Sequence, residues 1–370
     1  MKYRRFGKLD WQVSALGFGC MRLPEKNKEK AVEMLRWAID QGVNYLDTAY
    51  AYGWGKNEKI VGQALRNGYR RKVKIATKIP AEKVKNASDF DLIFDGQLKR
   101  LEVDFIDFYL LHALSAERWE KLKRLGILEW AKKKITEGKI KYLGFSFHDE
   151  LAVFKKIIDA TDLWSFCQIQ YNFMNEKVQA GEEGLHYAAK KGLAVVIMEP
   201  LLGGLLIKPP PKVEAIYKQI KQKPVNLALR WLWDQPEVSV VLSGMNDFSQ
   251  VEENISLADK YGNSRLSTKE KQWIKKIQQA YKQYESIPCT GCGYCLPCPQ
   301  GVDIPQNFAL YNQAVIFGKE YLFLSKLVYH NLSAKKRATN CIACRACEKK
   351  CPQKIAISSE LAKVRKKFDR

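Results

Sequence analysis

Eight of the ten cysteines fall after residue 288, in two regular runs. The first is Cys289-x2-Cys292-x2-Cys295-x2-Cys298 followed by Pro299; the second is Cys341-x2-Cys344-x2-Cys347-x3-Cys351 followed by Pro352. Three chemistries use cysteine this densely. Disulfides need an oxidising compartment, and the N-terminal residues MKYRRFGKLDWQVSALGFG read as lacking the continuous apolar stretch of a secretory signal. Two four-cysteine zinc sites would use all eight thiolates, but zinc ligands usually come as paired C-x2-C knuckles from separated loops. Here three thiolates follow at steps of three. One loop can then wrap three corners of a cubane cluster while the fourth ligand comes from elsewhere. Iron–sulfur ligation is the leading reading and zinc the alternative. Cys20 and Cys167 stand apart in apolar settings, GFGCMRL and WSFCQIQ, where a lone cysteine acts as a small buried hydrophobe.

A second set of reactive side chains lies in the first third of the chain. Asp47 follows NYL, Lys78 follows VKIAT, and His112 ends FIDFYLL, each closing a β-rich run. Tyr52 comes five residues after Asp47. Singly, each has an ordinary structural use: a helix cap, a surface lysine, a hydrogen-bonded histidine. Jointly, three ionisable groups at three successive strand ends point to a site, because barrel enzymes keep their chemistry at the C-terminal ends of strands.

Strands are expected at 15–18, 44–46, 73–77, 105–111, 140–145, 166–169, 194–198 and 239–242, and the apolar run AVVIM at 194–198 suits a strand covered on both faces. Amphipathic helices are expected between them, at 29–41, 59–66, 119–137, 150–159, 182–191, 225–234 and 249–260. Eight βα units in about 260 residues predict an α/β fold of (β/α)8 TIM-barrel type. A doubly wound open sheet is the runner-up, but no G-x-G-x-x-G opens a first helix. Lys2–Val13, with Gly7-Lys8 between two short runs, predicts a hairpin plugging the barrel bottom. Ser267-x-x-Glu270 predicts a capping box opening a helix from Lys269 to about Glu285. The composition then shifts to Cys, Pro and Gly, which divides the chain into residues 1–285 and a small, mainly helical domain at 286–370. In that domain Phe308–Leu332 reads as helical, and cluster ligation would supplement a core too small to act alone.

The 370 residues are 46% hydrophobic and 28% charged, which excludes disorder and low complexity. The longest apolar stretch, Gly192–Ile207, is broken by Glu199 and Pro200 and is too short to span a bilayer. A cytoplasmic protein without a membrane partner is therefore expected. Lys and Arg number 62 against 40 Asp and Glu, a formal charge of +22. The excess is scattered and no nucleic-acid motif accompanies it, so a solvated basic surface is expected and nucleic acid is disfavoured.

Two resemblances sharpen these readings. The second cysteine run, with its closing proline, resembles the bacterial two-cluster ferredoxin pattern, in which the fourth cysteine ligates the other cluster. That resemblance implies two [4Fe–4S] clusters, one held by Cys289, Cys292, Cys295 and Cys351, the other by Cys341, Cys344, Cys347 and Cys298. The segments NYLDTAYAYG-x-x-x-NE, KIATK and DFIDFYLLH resemble, in order and spacing, the catalytic segments of the aldo-keto reductase superfamily, over about residues 1–262. With its tail, the chain resembles the branch bearing a C-terminal ferredoxin-type domain.

The resemblance implies that a nicotinamide, NADPH or NADH, delivers hydride to a small-molecule carbonyl while Tyr52 donates the proton. A free phenol, with a pKa of about 10, is a poor acid near neutrality. Lys78 would favour the phenolate, Asp47 would position Lys78, and His112 would orient the carbonyl. Cofactor contacts are implied at Gly19, Cys20, Met21, Asp47, Ser146, Gln168 and Met198. The segment LSGMNDFSQVEEN resembles the adenosine-phosphate site, with Gly244, Asn246, Gln250 and Asn254 as candidates. Gly244 and Gln250 replace the Lys and Arg that many NADPH-specific relatives place there, so both nucleotides stay open.

The expected function is NAD(P)H-linked oxidoreduction with clusters that transfer electrons, and the basic surface would suit an acidic ferredoxin or flavodoxin as partner. The alternatives are a carbonyl reductase with purely structural clusters and a redox-responsive binding protein with an inactive barrel.

Overall fold

The structure is a computed structural model that describes residues 1–284 and 286–369. Glu285, where the long helix and first domain were expected to end, and Arg370 lie outside the described residues. The chain forms two compact units, Met1–Pro200 with Ala228–Leu266, and Leu201–Leu227 with Ser267–Arg370.

The first unit contains a closed barrel of eight parallel strands. They are β3 (Leu16–Gly19), β4 (Tyr45–Asp47), β5 (Lys74–Pro80), β6 (Ile106–Leu114), β7 (Ile140–Phe147), β8 (Trp164–Gln170), β9 (Ala194–Met198) and β10 (Val238–Ser243). Every strand expected from the apolar runs is present, with ends shifted by at most three residues and 194–198 matched at both ends. Both faces of these strands are covered, β6 being buried at all nine positions, and that double burial made them legible as apolar runs. A hairpin of β1 (Tyr3–Arg5) and β2 (Gln12–Ser14) precedes the barrel. Its Phe6 is buried among Tyr45, Phe108, Phe166 and Val240, so the hairpin does plug the bottom.

The helices α1 (Lys28–Asp40), α2 (Lys56–Leu65), α3 (Ser88–Leu101), α6 (Leu151–Asp159), α7 (Gly181–Lys190) and α10 (Phe248–Tyr261) lie between or after the strands. The single helix expected over 119–137 is instead α4 (Ala116–Arg124) and α5 (Ile127–Thr136). Gly126 separates them at φ 81°, a left-handed conformation that ends one helix and turns the chain into the next. The helix α9 (Pro224–Trp233) bridges the sequence boundary between the two units.

The second unit is helical: α8 (Pro211–Gln219), α11 (Thr268–Tyr281), α12 (Ile304–Ile316), α13 (Lys319–Asn331) and α14 (Ile357–Phe368). The expected capping box opens α11, with Ser267 and Glu270 exchanging both hydrogen bonds. The continuous helix expected over 308–332 is broken at Gly318, whose φ of 80° and ψ of −154° form an extended positive-φ conformation open to glycine. The unit has its own core, including Ile287, Phe308, Tyr329, Leu361, Val364 and Phe368, on which six of the eight clustered cysteines pack. Among the described residues no helix is long and apolar enough to cross a membrane.

Candidate functional site

Strand register carries the first set of reactive groups to one rim. Gly19 pairs with Asp47, Asp47 with Ala76, Lys78 with Leu110, and Pro80 with His112. Parallel strands share a direction, so residues at their C-terminal ends meet at the barrel mouth. Tyr52 arrives from the short turn Tyr52–Gly55 after β4. The Lys78 ammonium donates to Asp47 Oδ1 at 2.6 Å, to the Thr48 carbonyl at 2.9 Å and to Tyr52 Oη at 3.4 Å. All four expected residues are brought together.

Their electrostatics follow from burial. Lys78 and Asp47 are both buried. Desolvation pushes the Asp47 carboxyl above its usual range, and the Lys78 ammonium pulls it back. Desolvation, reinforced by Lys78, holds His112 well below 6.5, so the imidazole is neutral and keeps one N–H donor. Its ring stands edge-on to that of Tyr52, with centroids 6.1 Å apart.

A buried network beneath these groups was not anticipated from sequence. Glu58 Oε1 accepts from Thr77 Oγ1 at 2.7 Å and Gln97 Nε2 at 2.8 Å, while Oε2 accepts from Arg100 Nε at 2.7 Å. Gln97 also donates to the Lys78 carbonyl at 3.0 Å and accepts from Tyr109 at 2.7 Å. Asn57 accepts from Thr48 Oγ1 and donates to the Cys20 carbonyl. The Asn-Glu pair after the tyrosine thus ties β3, β4, β5 and α3 together. The signal was present as NE in the motif, but its partners lie on other elements.

The expected cofactor residues occupy the same rim. Ser146 pairs with Gln168, and Gln170 with Met198. Ser146 Oγ accepts from the backbone N–H of Ala113, beside His112, at 2.7 Å. At this rim, among the described residues, Asp47 Oδ2 and Gln168 Oε1 are buried acceptors without a hydrogen bond of ordinary geometry, although the Gln168 side chain lies near enough to Asp47 to lower its carboxyl. Such orphaned oxygens fit a ligand that offers hydroxyl and amide donors, as the ribose and carboxamide of a nicotinamide do. Cys20 and half-buried Met21 form the turn after β3, and burial pushes the Cys20 thiol well up, so it stays protonated. A Cβ on Gly19 would lie 3.2 Å from the Ser243 carbonyl, and one on Gly244 would meet the Arg22 side chain at 2.8 Å.

At the start of α10 the polar groups are largely engaged. Asn254 donates to Ser243 Oγ, and Gln250 accepts from the Asn246 N–H. Asp247 caps the helix and pairs with Lys30 at 2.8 Å, which together with Ser249 lowers its carboxyl to about 2. The sequence reading had not singled out Asp247 and Lys30.

The eight clustered thiols divide between two cavities. One is lined by Cys289, Cys292, Cys295 and Cys351, together with Ile304, Phe308 and Ile355. The other is lined by Cys298, Cys341, Cys344 and Cys347, together with Ile304 and Leu361. Each cavity therefore takes three thiols from one run and one from the other. Among the described residues no three His, Cys, Asp or Glu side chains converge closely enough to hold a single metal ion. Burial and the neighbouring Cys292, Cys289 and Cys351 push the Cys295 thiol up to about 12.

Two buried asparagines on α12, also unanticipated, hold the cysteine loops. Asn312 accepts from the Ile287 N–H and donates to its carbonyl, both at 2.7 Å, just before Cys289. Asn307 accepts from the Ala338 N–H at 2.9 Å and donates to the Lys336 carbonyl at 2.8 Å, just before Cys341.

Comparison with known proteins adds two family matches. The aldo/keto reductase family matches residues 15–279, and the 4Fe-4S dicluster domain matches residues 288–356. The chain is 29% identical over 324 residues to the uncharacterized oxidoreductase YqkF of Bacillus subtilis, covering 76% of this chain and 97% of that protein. It is 27% identical to a probable aldo-keto reductase 1 of Glycine max, over 68% of this chain and 82% of that one. Among solved structures it is similar to aldo-keto reductase AKR11C1 from Bacillus halodurans in its holo form, with TM-score 0.64 and 27% identity over 75% of this chain and 96% of that one. A Klebsiella pneumoniae aldo-keto reductase solved with NADPH shares the fold, at TM-score 0.61 and 24% identity over 75% of this chain and 95% of that one.

Proposed function

The chain belongs to the aldo/keto reductase family of oxidoreductases and carries a 4Fe-4S dicluster domain; from that premise we propose that it is an NAD(P)H-dependent carbonyl reductase whose two [4Fe–4S] clusters transfer electrons. The observation that carries the reading is the Lys78 ammonium seated between the Asp47 carboxylate and the Tyr52 hydroxyl.

When bound, a reduced nicotinamide supplies hydride and the clusters supply single electrons. Everything else falls to this chain's residues. Tyr52 donates its hydroxyl proton to the substrate oxygen, and the Lys78 ammonium stabilises the negative charge left on the phenol. Asp47 accepts a hydrogen bond from the Lys78 ammonium and holds it beside Tyr52. Neutral His112 donates a hydrogen bond to the carbonyl oxygen, which orients it and stabilises its developing charge. Gln168 Oε1 and Asp47 Oδ2 offer free acceptors for the cofactor's amide and hydroxyl donors, and Ser146 lies beside them. At the start of α10 the Asp247 cap is paired with Lys30, so its charge is offset there and both NADH and NADPH stay candidate donors.

The cluster ligands are Cys289, Cys292, Cys295 and Cys351 for one, and Cys298, Cys341, Cys344 and Cys347 for the other. Cys344 is exposed, so electrons need not cross a thick protein layer to reach an external carrier such as an acidic ferredoxin or flavodoxin. The test is anaerobic addition of NADH or NADPH to holoprotein, following cluster absorbance and EPR. Bleaching by either nucleotide is the expected result, the two electrons of one hydride going one to each cluster and its proton to solvent, and the nucleotide that bleaches them identifies the donor. Intact clusters, with nucleotide bound and a carbonyl substrate still reduced, would overturn the electron-transfer role and leave them structural.

A further inference from the structure

The helix α13 is apolar on every side. Its inner face, with Ser325 and Tyr329 buried and Leu322 partly so, packs on the core of the cysteine-bearing unit. Its outer face presents Tyr321, Phe323, Leu324, Leu327 and Val328, which are between 42% and 71% exposed. A helix that is hydrophobic all round is ordinarily covered, and exposed patches of this kind mark interaction surfaces. Leu296 and Ile342, in the two cysteine loops, are exposed as well.

Charge selects the occupant. Residues 319–347, from the start of α13, hold Glu320 as their single acidic residue against Lys319, Lys326, Lys335, Lys336, Arg337 and Arg345. Residues 286–370 carry 14 Lys and Arg against 5 Asp and Glu. A second copy of the chain would bring two such basic regions together, so self-pairing is disfavoured. The outer face is mostly aliphatic, while protein interfaces draw their binding strength from Trp, Tyr and Arg anchors, with Leu and Val under-represented. An apolar helical face beside basic residues is the pattern of a helix lying in a lipid headgroup layer. We propose that α13 and the basic segment after it dock the cysteine-bearing unit onto an anionic phospholipid bilayer surface, with Phe323, Leu324 and Leu327 entering the acyl boundary. The absence of a membrane partner expected from the sequence rested on the lack of a spanning segment, and a helix lying in the interface needs none.

The test is sedimentation of full-length holoprotein with vesicles of phosphatidylglycerol and phosphatidylcholine, or of phosphatidylcholine alone. Binding to the anionic vesicles is expected, at least tenfold weaker on the neutral ones and weakened again by salt. Leu324→Gln with Leu327→Gln should lower it at least tenfold while iron and sulfide content stay at the wild-type level. Lys335→Gln with Lys336→Gln, which leaves the helix intact, should lower it severalfold. Equal binding to both vesicle types, or none to either, overturns the proposal. A wild-type dimer in light scattering that the leucine pair converts to monomer would assign the face to a second copy instead. Binding of an acidic ferredoxin that the leucine pair abolishes, with no vesicle binding, would assign it to a protein.

Discussion

In the barrel, reactive side chains are held by strand register and one buried polar network; in residues 286–369, eight thiols sit on loops tied to one helix by two asparagines. The barrel site is assembled before any ligand arrives, since Lys78, Asp47 and Tyr52 are already hydrogen-bonded. The cysteine cavities are lined by groups that repel one another once ionised, so their stable form depends on what they bind. One region holds its chemistry with its scaffold, and the other uses its chemistry to complete its scaffold.

The sharpest test of that contrast is Tyr52→Phe. Carbonyl reduction should fall by roughly 10²- to 10⁴-fold, with iron per protein unchanged. Activity within tenfold of wild type would remove Tyr52 as the acid, and loss of iron would show that the two regions are not separable in this way.

Lys78→Met should come next. It leaves the Asp47 carboxylate buried without its counter-ion, which costs about 3–5 kcal/mol of barrel stability. Denaturant unfolding checks it, and an unchanged midpoint would mean that Asp47 simply takes up a proton. Cys351→Ser and Cys289→Ser should each remove the same EPR signal and roughly half of the iron, because the fourth ligand comes from the other run. Cys298→Ser should remove the other signal. If Cys351→Ser and Cys347→Ser instead erase one common signal, the pairing is local.

Asn312→Ala removes two hydrogen bonds to the Ile287 backbone, at about 1–3 kcal/mol, and leaves the Ile287 N–H without its acceptor while the carbonyl keeps the Cys289 N–H. Faster iron loss to a chelator should reveal it. The smallest effect is the acid response of His112. Its folded pKa lies below the ordinary value, so the unfolded chain binds the extra proton and stability falls as pH drops below 6.5. His112→Gln should flatten the fall of Tm between about pH 6.5 and pH 5. An unchanged slope would mean that other groups dominate it.

Much of this was legible in the residues themselves. Parallel strands buried on both faces appear as apolar runs, and the ionisable groups at three of their ends stand out against them. The cysteine spacing announced its own chemistry. What stayed hidden was of two kinds. Helical periodicity runs on across Gly126 and Gly318, so the breaks in 119–137 and 308–332 depend on backbone conformation that spacing alone does not fix. Helix α14 shows an apolar face in Ile357, Leu361, Val364 and Phe368, but its short run directly follows the cysteine loop and its charged residues fill the other face, so it stands out little in sequence. Glu58, Gln97, Asn307 and Asn312 look in sequence like any solvated polar residue. Only partners brought from other elements show that they are buried.

The two asparagines on α12 carry one more consequence. They are five residues apart, about 7.5 Å along a helix axis at 1.5 Å per residue. One rigid rod therefore works as a ruler between the chain entering the first cysteine loop and the chain entering the second. The separation of the two cysteine cavities is graduated in helix turns instead of wandering with loop length. A single residue inserted between positions 307 and 312 would advance one mark by about 100° of rotation, and the two loops would lose their common scale together.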